Sequence, residues 1–324
     1  MAAVLVTGGA GFIGSHTCKA LSAAGFVPVS FDNLSTGFRH NVKWGHLVTG
    51  DLADREALRA VFRDYPISGV LHFAASAYVG ESVVKPLEYY RNNVAGSLNL
   101  LEVISEHGVP PLVFSRSCAT YGVPIQNPIP ASHPQSPVNP YGWSKLMGER
   151  MILDSCAAYG LRYGVLRYFN AAGADAEGDL REEHNPETHL IPLAIDAAAG
   201  TAPALTVFGA DYPTPDGTCI RDYIHVADLA AAHVEAMRSL LAGAPSFVKN
   251  LGTGKGSSVR QVLASIKRVS GAEVPHTVEA RRPGDPPALE AVVEPEDLHR
   301  LRYQNLDDII RSAWNSRQPA VRAA

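Results

Sequence analysis

Cysteine is scarce in this sequence, and the cysteines present are not arranged in pairs. The 324 residues include four cysteines. These are Cys18, Cys118, Cys156 and Cys219, which are widely separated and form no Cys-x-x-Cys motif. This distribution argues against a disulfide framework and suits a reducing compartment. We therefore expect a cytoplasmic protein.

Long hydrophobic runs and blocks of like charge are missing as well. The longest apolar runs are of strand length, and residues 3–6 lead directly into a glycine turn without a basic flank or a cleavage-like segment. Neither a membrane span nor a secretory signal is therefore expected. The 28 basic residues are nearly balanced by 32 acidic ones, so the sequence indicates no nucleic-acid partner and no membrane partner.

The spacing of the histidines does not match a known metal-binding motif. The chain has 12 histidines, but none shows metalloprotease-like spacing, and His184 and His189 lie five residues apart in a polar loop. We therefore predict no bound metal. The length of 324 residues is sufficient for one large domain or for two closely joined ones.

A glycine-rich turn follows the first apolar run of the chain. Residues 3–7 are apolar and β-branched, and a helical pattern begins directly after Gly14. Gly8, Gly11 and Gly14 allow a tight turn, close approach of a pyrophosphate to backbone N–H groups, and close packing of helix against strand. The pattern predicts a dinucleotide-binding strand–turn–helix unit.

The next strand ends in an acidic residue suited to an adenosine ribose. Asp32 lies eighteen residues beyond Gly14, where its carboxylate can accept hydrogen bonds from both ribose hydroxyls and would repel a 2′-phosphate. This favours NAD over NADP. The following loop, with Ser35, Thr36 and Gly37, is expected to cover the adenosine.

Strands and helices continue to alternate along the chain. Such alternation predicts an α/β fold with a doubly wound parallel Rossmann sheet, in which ligands bind at the carboxyl ends of the strands. Further cofactor contacts are therefore predicted where strands end, at Asp51, Leu52, Phe73, Ala74, Ala75 and Ala77.

Three polar side chains further along the chain suggest proton transfer. Tyr141 and Lys145 share one face of a predicted helix that Asn139 can cap and Pro140 can begin. An ammonium near a phenol favours the phenolate, which would make Tyr141 a base. Ser117 follows a strand end, where its hydroxyl can hydrogen-bond a reacting oxygen. Each feature alone also fits an ordinary turn or an amphipathic helix, and only their combination favours catalysis.

These motifs together resemble the extended short-chain dehydrogenase/reductase family. The features concerned are residues 8–14, Asp32-Asn33-Leu34, Ser117 and Tyr141-x-x-x-Lys145. Within that family, four further stretches resemble the UDP-glucose 4-epimerases, namely residues 79–82, 89–94, 167–173 and 216–226. The resemblance extends from residue 1 to about residue 315.

The resemblance implies a fold, an activity and an assembly. Residues 1–169 would form the NAD-binding domain, and residues 170–324 a smaller, interleaved domain that binds mainly the UDP-hexose. The implied activity is reversible inversion at C4 of UDP-glucose and UDP-galactose through a transient 4-keto sugar, with tightly bound NAD. A homodimer is also implied, through the predicted helices at residues 87–107 and 141–159.

The same resemblance assigns roles to individual residues. Tyr141 would be the base, Lys145 would lower the pKa of its phenol and hold the nicotinamide ribose, and Ser117 would hydrogen-bond the sugar O4. Further cofactor contacts are implied for Phe12, Ile13, Asn33, Leu34, Asn92 and Phe169.

Substrate contacts are predicted in the second half of the chain. Arg221 and Arg282 are placed on the diphosphate because a guanidinium forms bidentate bonds to phosphate oxygens. The resemblance implies that Asn170 also faces the diphosphate. It further implies that Leu190 and Phe208 line the uracil pocket.

Several positions separate this chain from related patterns. Cys118 and Ala119 stand where sugar-nucleotide 4,6-dehydratases carry acidic residues, which favours epimerisation. Arg116 replaces a small hydroxyl residue, and Ala77 replaces a lysine found in some epimerases. Leu289 falls where side-chain bulk is thought to gate N-acetylated sugars. A 4-epimerase acting on UDP-N-acetylhexosamine, UDP-xylose/arabinose or UDP-glucuronate therefore stays open, as does a non-catalytic dinucleotide sensor.

Overall fold

The computed structural model describes residues 1–282 and 284–317, so residues 283 and 318–324 of the predicted second domain lie outside the described part. The strands in chain order are β1 (Ala3–Thr7), β2 (Val27–Asp32), β3 (His46–Thr49), β4 (Ile67–His72), β5 (Leu112–Ser117), β6 (Tyr163–Tyr168), β7 (Asn170–Ala172), β8 (Leu205–Phe208), β9 (Ile220–His225), β10 (Phe247–Leu251), β11 (Gly256–Ser258), β12 (His276–Glu279) and β13 (Ala288–Leu289). The helices are α1 (Phe12–Ala23), α2 (Arg55–Asp64), α3 (Val79–Val84), α4 (Pro86–Tyr89), α5 (Gly96–Glu106), α6 (Pro140–Tyr159), α7 (Leu190–Ala198), α8 (Val226–Leu241), α9 (Val259–Ser270), α10 (Pro295–Leu298) and α11 (Leu306–Arg317).

The largest sheet has seven strands in the order β10-β6-β5-β4-β1-β2-β3. The pairings from β6 through β3 are all parallel, which confirms the predicted doubly wound Rossmann sheet. Every residue of β1 is buried, as expected for a parallel strand covered on both faces. The order of strands reverses between β1 and β4, and a ligand crevice is expected at the carboxyl ends of these strands.

The chain divides into two compact units. Unit 1 consists of Met1–Gly122, Ala131–Tyr168 and Leu229–Asn250, and its apolar core includes Leu5, Val70 and Phe114. The predicted domain boundary between residues 169 and 170 stays a prediction.

Unit 2 contains Val123–Pro130, Phe169–Asp228 and the described residues from Leu251 onward. In it β11, β9 and β13 form a sheet with β7 alongside β9, and β12 pairs with β8. A separate apolar core, with Ile195, Val262 and Ile310 among its buried residues, holds these elements together. No helix within the described residues is both long and apolar enough to cross a membrane.

The predicted helix at residues 87–107 is not uniform. A π-helical segment, Tyr90–Ala95, joins α4 to α5. The segment contains Asn93, which is buried and hydrogen-bonded to side chains and backbone outside its own helix. A buried polar side chain of this kind needs partners, and π-helical segments often occur at functional sites.

Candidate active site

The glycine turn after β1 leaves no room for side chains. Gly8 has a positive φ of 75°, and a Cβ on it would lie 2.7 Å from the backbone nitrogen of Ala74. A Cβ on Gly14 would overlap the carbonyl oxygen of Gly8. The turn therefore needs glycine at both positions, which keeps the start of α1 close to the strand ends.

A cleft in unit 1 is lined by most of the predicted cofactor residues. The residues that line it are Gly8, Gly11, Phe31, Asp32, Asn33, Ser35, Thr36, Gly37, Gly50, Asp51, Leu52, Phe73, Ala74, Ala75, Ser76 and Asn92. Phe31, Gly50 and Ser76 were not predicted. Among the described residues, those predicted for the cofactor but lying outside this lining are Phe12, Ile13, Gly14, Leu34, Ala77, Tyr141, Lys145 and Phe169.

Asp32 lies at the end of β2 with its carboxylate already oriented. One carboxylate oxygen accepts the backbone N–H of Ala10 at 2.9 Å, and the other accepts that of Leu34 at 2.8 Å. An ionised carboxylate offers about four lone-pair positions, so acceptor capacity is left for two ribose hydroxyls. The residues present thus fit the adenosine ribose of a dinucleotide.

The start of α6 positions the predicted base and its lysine. Asn139 caps the helix by accepting the backbone N–H of Gly142 at 2.8 Å, and Pro140 occupies the first turn. Tyr141 and Lys145 are both buried, with 7% and 5% of their surface exposed. The ammonium nitrogen lies 5.8 Å from the centroid of the phenol ring. The expected proximity of the two side chains is thus present in the structure.

Ser117 ends β5 and caps the short 3-10 helix Cys118–Tyr121. Its hydroxyl oxygen accepts the backbone N–H of Ala119 at 3.2 Å, and its hydrogen bond with Tyr141 lowers the pKa of that phenol. The structure therefore brings all three predicted catalytic side chains together, although their catalytic role stays a prediction.

Burial is the main influence on the pKa values of Tyr141 and Lys145. Burial raises the pKa of Tyr141, helped by Tyr168 and opposed by Ser117 and Arg116. Burial and the nearby Arg116 lower the pKa of Lys145 to about 7. Both shifts arise mainly because the two groups lose solvation, and the predicted lowering of the phenol pKa by Lys145 stays a prediction.

Asn93 is a structural link that the sequence did not reveal. Its side-chain oxygen accepts the backbone N–H of Ser76 at 2.8 Å, and its amide donates to the Ser144 hydroxyl at 2.9 Å. Ser144 in turn donates to the carbonyl of Tyr141 at 2.7 Å. Since Ser76 lines the cleft, Asn93 connects the cleft to the start of α6.

A buried ion cluster lies beside these residues in unit 1. Arg167 contacts Glu149 with Nε at 3.2 Å and Nη2 at 2.5 Å. Arg116 lies with its Nη2 3.2 Å from the same carboxylate. All three residues are almost fully buried. The sequence singled out Arg116 as unusual but did not predict its partner.

The predicted diphosphate and specificity residues of unit 2 form two small groups. Arg221 is ion-paired with Asp285, and Leu289 is the register partner of Arg221 in the pairing of β13 with β9. The guanidinium of Arg282 lies 4.1 Å from the centroid of the Phe208 ring. Their roles toward a ligand stay predictions.

The other predicted contact residues of unit 2 lie on separate elements. Asn170 opens β7 and is the register partner of Tyr223, two residues along β9 from Arg221. Leu190 opens α7 and packs against the apolar core of unit 2. Phe169 precedes β7 and is buried.

His184 and His189 lie in a cluster with two glutamates. Donor atoms of Glu182, His184, Glu187 and His189 lie within 4.8 Å of one another. His189 is hydrogen-bonded to Glu182 at 2.6 Å, and His184 to Glu187 at 3.3 Å. The guanidinium of Arg317 lies 3.8 Å from Glu187, so a cation of the chain already faces these carboxylates. The predicted absence of a metal stays a prediction.

Comparison with known proteins places these features in context. Residues 4–252 match the NAD dependent epimerase/dehydratase family. The chain is 49% identical over 314 residues to a UDP-glucose 4-epimerase of Rhizobium leguminosarum bv. trifolii, covering 96% of both chains. The structure of a UDP-glucose 4-epimerase from Brucella ovis in complex with NAD is 53% identical, with a TM-score of 0.94 over 97% of this chain and 98% of that one. A Bifidobacterium longum UDP-glucose 4-epimerase in complex with NAD+ and UDP is 38% identical, with a TM-score of 0.91 over 97% of each chain.

Proposed function

Because the chain belongs to the NAD dependent epimerase/dehydratase family, we propose that it catalyses the reversible inversion of C4 in UDP-glucose and UDP-galactose. The cofactor is NAD, tightly bound and regenerated in each cycle. The observation that carries the proposal is the gathering of the half-buried Ser117 with the buried Tyr141 and Lys145. This position is linked through Asn93 to a cleft with a ribose-binding carboxylate.

Tyr141 is the proposed base of the reaction. As phenolate it takes the proton of the sugar 4-hydroxyl, and Ser117 donates a hydrogen bond to O4. When bound, NAD supplies the oxidation at C4 and its reversal. After the 4-keto sugar has turned over, the phenol returns its proton to O4. A protonated Lys145 stabilises the phenolate during the first step.

The residues after Ser117 favour epimerisation over dehydration. Loss of water across C5 and C6 needs a base that removes the C5 proton and an acid that protonates the 6-hydroxyl as it leaves. At the corresponding positions this chain has a buried Cys118 and an Ala119, which supply no carboxylate. A ketone formed here is therefore reduced again rather than dehydrated.

Substrate anchoring is proposed for unit 2. Arg221 and Arg282 would bind the diphosphate, Asn170 would face it, and Leu190 with Phe208 would hold the uracil. The guanidinium carbon of Arg282 lies 4.1 Å from the centroid of the Phe208 ring, and a guanidinium held over a ring can direct N–H groups to phosphate oxygens. Arg221 would exchange its bond to Asp285 for the diphosphate.

The activity can be tested directly with purified protein and UDP-galactose, without added NAD. We expect NMR to show conversion to UDP-glucose until equilibrium, with no net release of NADH. Accumulation of a 4-keto product, or release of NADH, would contradict the proposal. A panel with UDP-N-acetylglucosamine, UDP-xylose and UDP-glucuronate in the same assay decides which sugars Leu289 admits. No conversion of any member would favour the dinucleotide sensor.

Asp32→Asn is expected to weaken NAD binding by about 10- to 100-fold, because charge-assisted hydrogen bonds to the ribose contribute about 1.5–3 kcal/mol. The NADP to NAD affinity ratio should rise, because the carboxylate no longer repels a 2′-phosphate. Both quantities can be measured by titration of apoprotein. Asp54→Asn makes the same chemical change at the cap of α2, where Asn caps as well as Asp, and should bind NAD normally. Unchanged NAD affinity in Asp32→Asn would remove the ribose assignment.

A homodimer is proposed through residues 87–107, which include α5, and through residues 141–159 of α6. Leu98, Trp143 and Met147 of these helices are 45%, 42% and 40% exposed, although large apolar side chains favour burial. The double variant Leu98→Glu/Met147→Glu should shift the protein from dimer to monomer in sedimentation experiments. Ile125→Glu changes an exposed apolar side chain elsewhere and should leave the dimer intact. A monomeric wild type at working concentration would refute the proposal.

A cytoplasmic location is also proposed. All four cysteines lie within the described residues and form no disulfide, which suits a reducing compartment.

A further inference from the structure

Arg116 is the largest side chain that the structure buries completely. It lies in β5 immediately before Ser117 and is the register partner of Arg167 in β6. A guanidinium keeps its proton in proteins, and burial of a charge is unfavourable unless that charge is compensated. Burial lowers the pKa of Arg116 and the nearby Glu149 opposes this shift, but a guanidinium does not lose its proton in proteins, so the side chain stays positively charged.

The available carboxylate is shared with a better-placed partner. Arg167 donates hydrogen bonds to both oxygens of Glu149. Arg116 approaches one of these oxygens at 3.2 Å, yet none of its three guanidinium nitrogens has a hydrogen-bond partner. Two buried cations thus face one carboxylate, and the cluster carries a surplus positive charge.

The surplus positive charge of this cluster affects Tyr141 and Lys145. The Cζ atom of Arg116 lies 5.4 Å from the centroid of the Phe114 ring, and Nζ of Lys145 lies 5.8 Å from the same centroid. Arg116 depresses the pKa of Lys145 by like-charge repulsion. It also counteracts the upward effect of burial on the pKa of Tyr141.

Other groups facing Tyr141 do not supply an equivalent charge. Tyr168 and Cys118 raise the pKa of Tyr141 when ionised, and the Tyr89 ring meets it edge-on while its hydroxyl bonds to Glu81. Burial and Arg116 lower the pKa of Lys145 to about 7, so the charge of Lys145 changes within the working pH range. Arg116 is therefore the cation whose charge does not vary over the working pH range.

We propose that Arg116 is an electrostatic positioning residue, a buried permanent cation that shares with Lys145 the stabilisation of the Tyr141 phenolate. This inference rests on the proposed function only in so far as the phenolate is the base. The two arginines also have distinct tasks. Arg167 neutralises Glu149, and Arg116 supplies the charge that the phenolate compensates.

Three substitutions separate charge from shape. Arg116→Met keeps most of the stem without the charge and leaves the Arg167–Glu149 pair balanced, so we expect it to fold. Arg116→Ser is a second neutral variant of different size. Arg116→Lys retains an ammonium that deprotonates more readily when buried, and should lie between the wild type and the neutral variants. Folding of each variant is checked by thermal unfolding.

Two readouts follow the ionisation of Tyr141. Activity requires the phenolate, so turnover of UDP-galactose rises with pH through the pKa of Tyr141. Removing Arg116 takes a cation away from Tyr141 and so raises the pKa of its phenol. Lys145, no longer repelled by Arg116, holds its proton more firmly and offsets only part of this loss, so the rising limb should move to higher pH by about one unit. Turnover below the limb should then fall about tenfold, with a similar plateau above it. The second readout needs no substrate. The ultraviolet absorbance of the Tyr141 phenolate is obtained by subtracting the spectrum of a protein that carries Tyr141→Phe together with the same residue at position 116. The pKa at which this absorbance titrates should shift by the same amount.

The outcomes distinguish this inference from the proposed function. Equal loss of turnover at every pH, with no shift of the limb or of the phenolate titration in Arg116→Met and Arg116→Ser, means a structural role and overturns the inference. A shift that follows side-chain size rather than charge also overturns it. If the phenolate titration shifts as expected while no UDP-sugar is converted, the inference stands and the proposed function fails.

Discussion

Tyr141→Phe is expected to reduce the interconversion of UDP-galactose and UDP-glucose by about 10²- to 10⁴-fold, which is the usual contribution of a positioned general base. The ring itself is retained in the buried site next to Ser117, so packing should change little. UDP binding should persist, because the proposed UDP contacts lie on other residues. Turnover can be followed by NMR, and UDP affinity by calorimetry on the same preparation.

A matched substitution on the same helix controls for effects on α6. Tyr159 is the last residue of that helix and is 63% exposed, so Tyr159→Phe removes a phenol hydroxyl far along the helix from the start that carries Tyr141. It should retain wild-type turnover. If Tyr141→Phe is as active as Tyr159→Phe, another group takes the proton, and the role of Tyr141 is wrong.

Glu149→Gln is expected to destabilise the protein by about 3–5 kcal/mol, the usual cost of removing one partner from a buried ion pair. The carboxylate is 3% exposed and faces Arg116 and Arg167. Those two arginines hold the pKa of Glu149 below its ordinary value, although burial acts in the opposite direction. Without the carboxylate, Arg167 loses its charged partner and the surplus positive charge of the cluster rises from one to two. The free energy of unfolding from denaturant titration measures the loss.

The same substitution in two further contexts tests this explanation. In an Arg116→Ser background only one cation remains beside residue 149, so Glu149→Gln should lower the free energy of unfolding clearly less than it does in the wild type. At the surface, Asp154→Asn breaks an exposed pair with Arg150 and should change stability by about 1 kcal/mol or less. An equal cost of Glu149→Gln with and without Arg116 would show that the two arginines do not share the carboxylate.

Local features of the site were predicted well because local geometry controls them. The glycines at 8 and 14 are required by a turn of a few residues, and Asn139 with Pro140 defines the start of α6 within one helical turn. Asp32 ends its strand as expected, and the carboxylate bonds to nearby backbone groups. Each of these features depends on neighbours in sequence or on a single strand pairing.

Features that depend on distant parts of the chain could not be predicted in the same way. Asn93 meets Ser144 across 51 residues, and a π-helical segment carries it there. Ser117, which the sequence placed after a strand end, is itself the last residue of β5 and pairs with Tyr168 of β6. Boundaries of this kind follow from pairing partners that periodicity does not identify.

The sequence by itself determined the family, the doubly wound sheet, and the placement of Tyr141 and Lys145 on one helical face, because these depend on short motifs and on the regular repeat of strands and helices. Only the tertiary structure decided the electrostatics of that pair. The pKa values of Tyr141 and Lys145 depend on their solvation and on the charges that folding brings near them. Those charges come from β5, β6 and α6, which carry Arg116, Arg167 and Glu149. Burial therefore weakens the charge that Lys145 can supply, and Arg116 provides a permanent one.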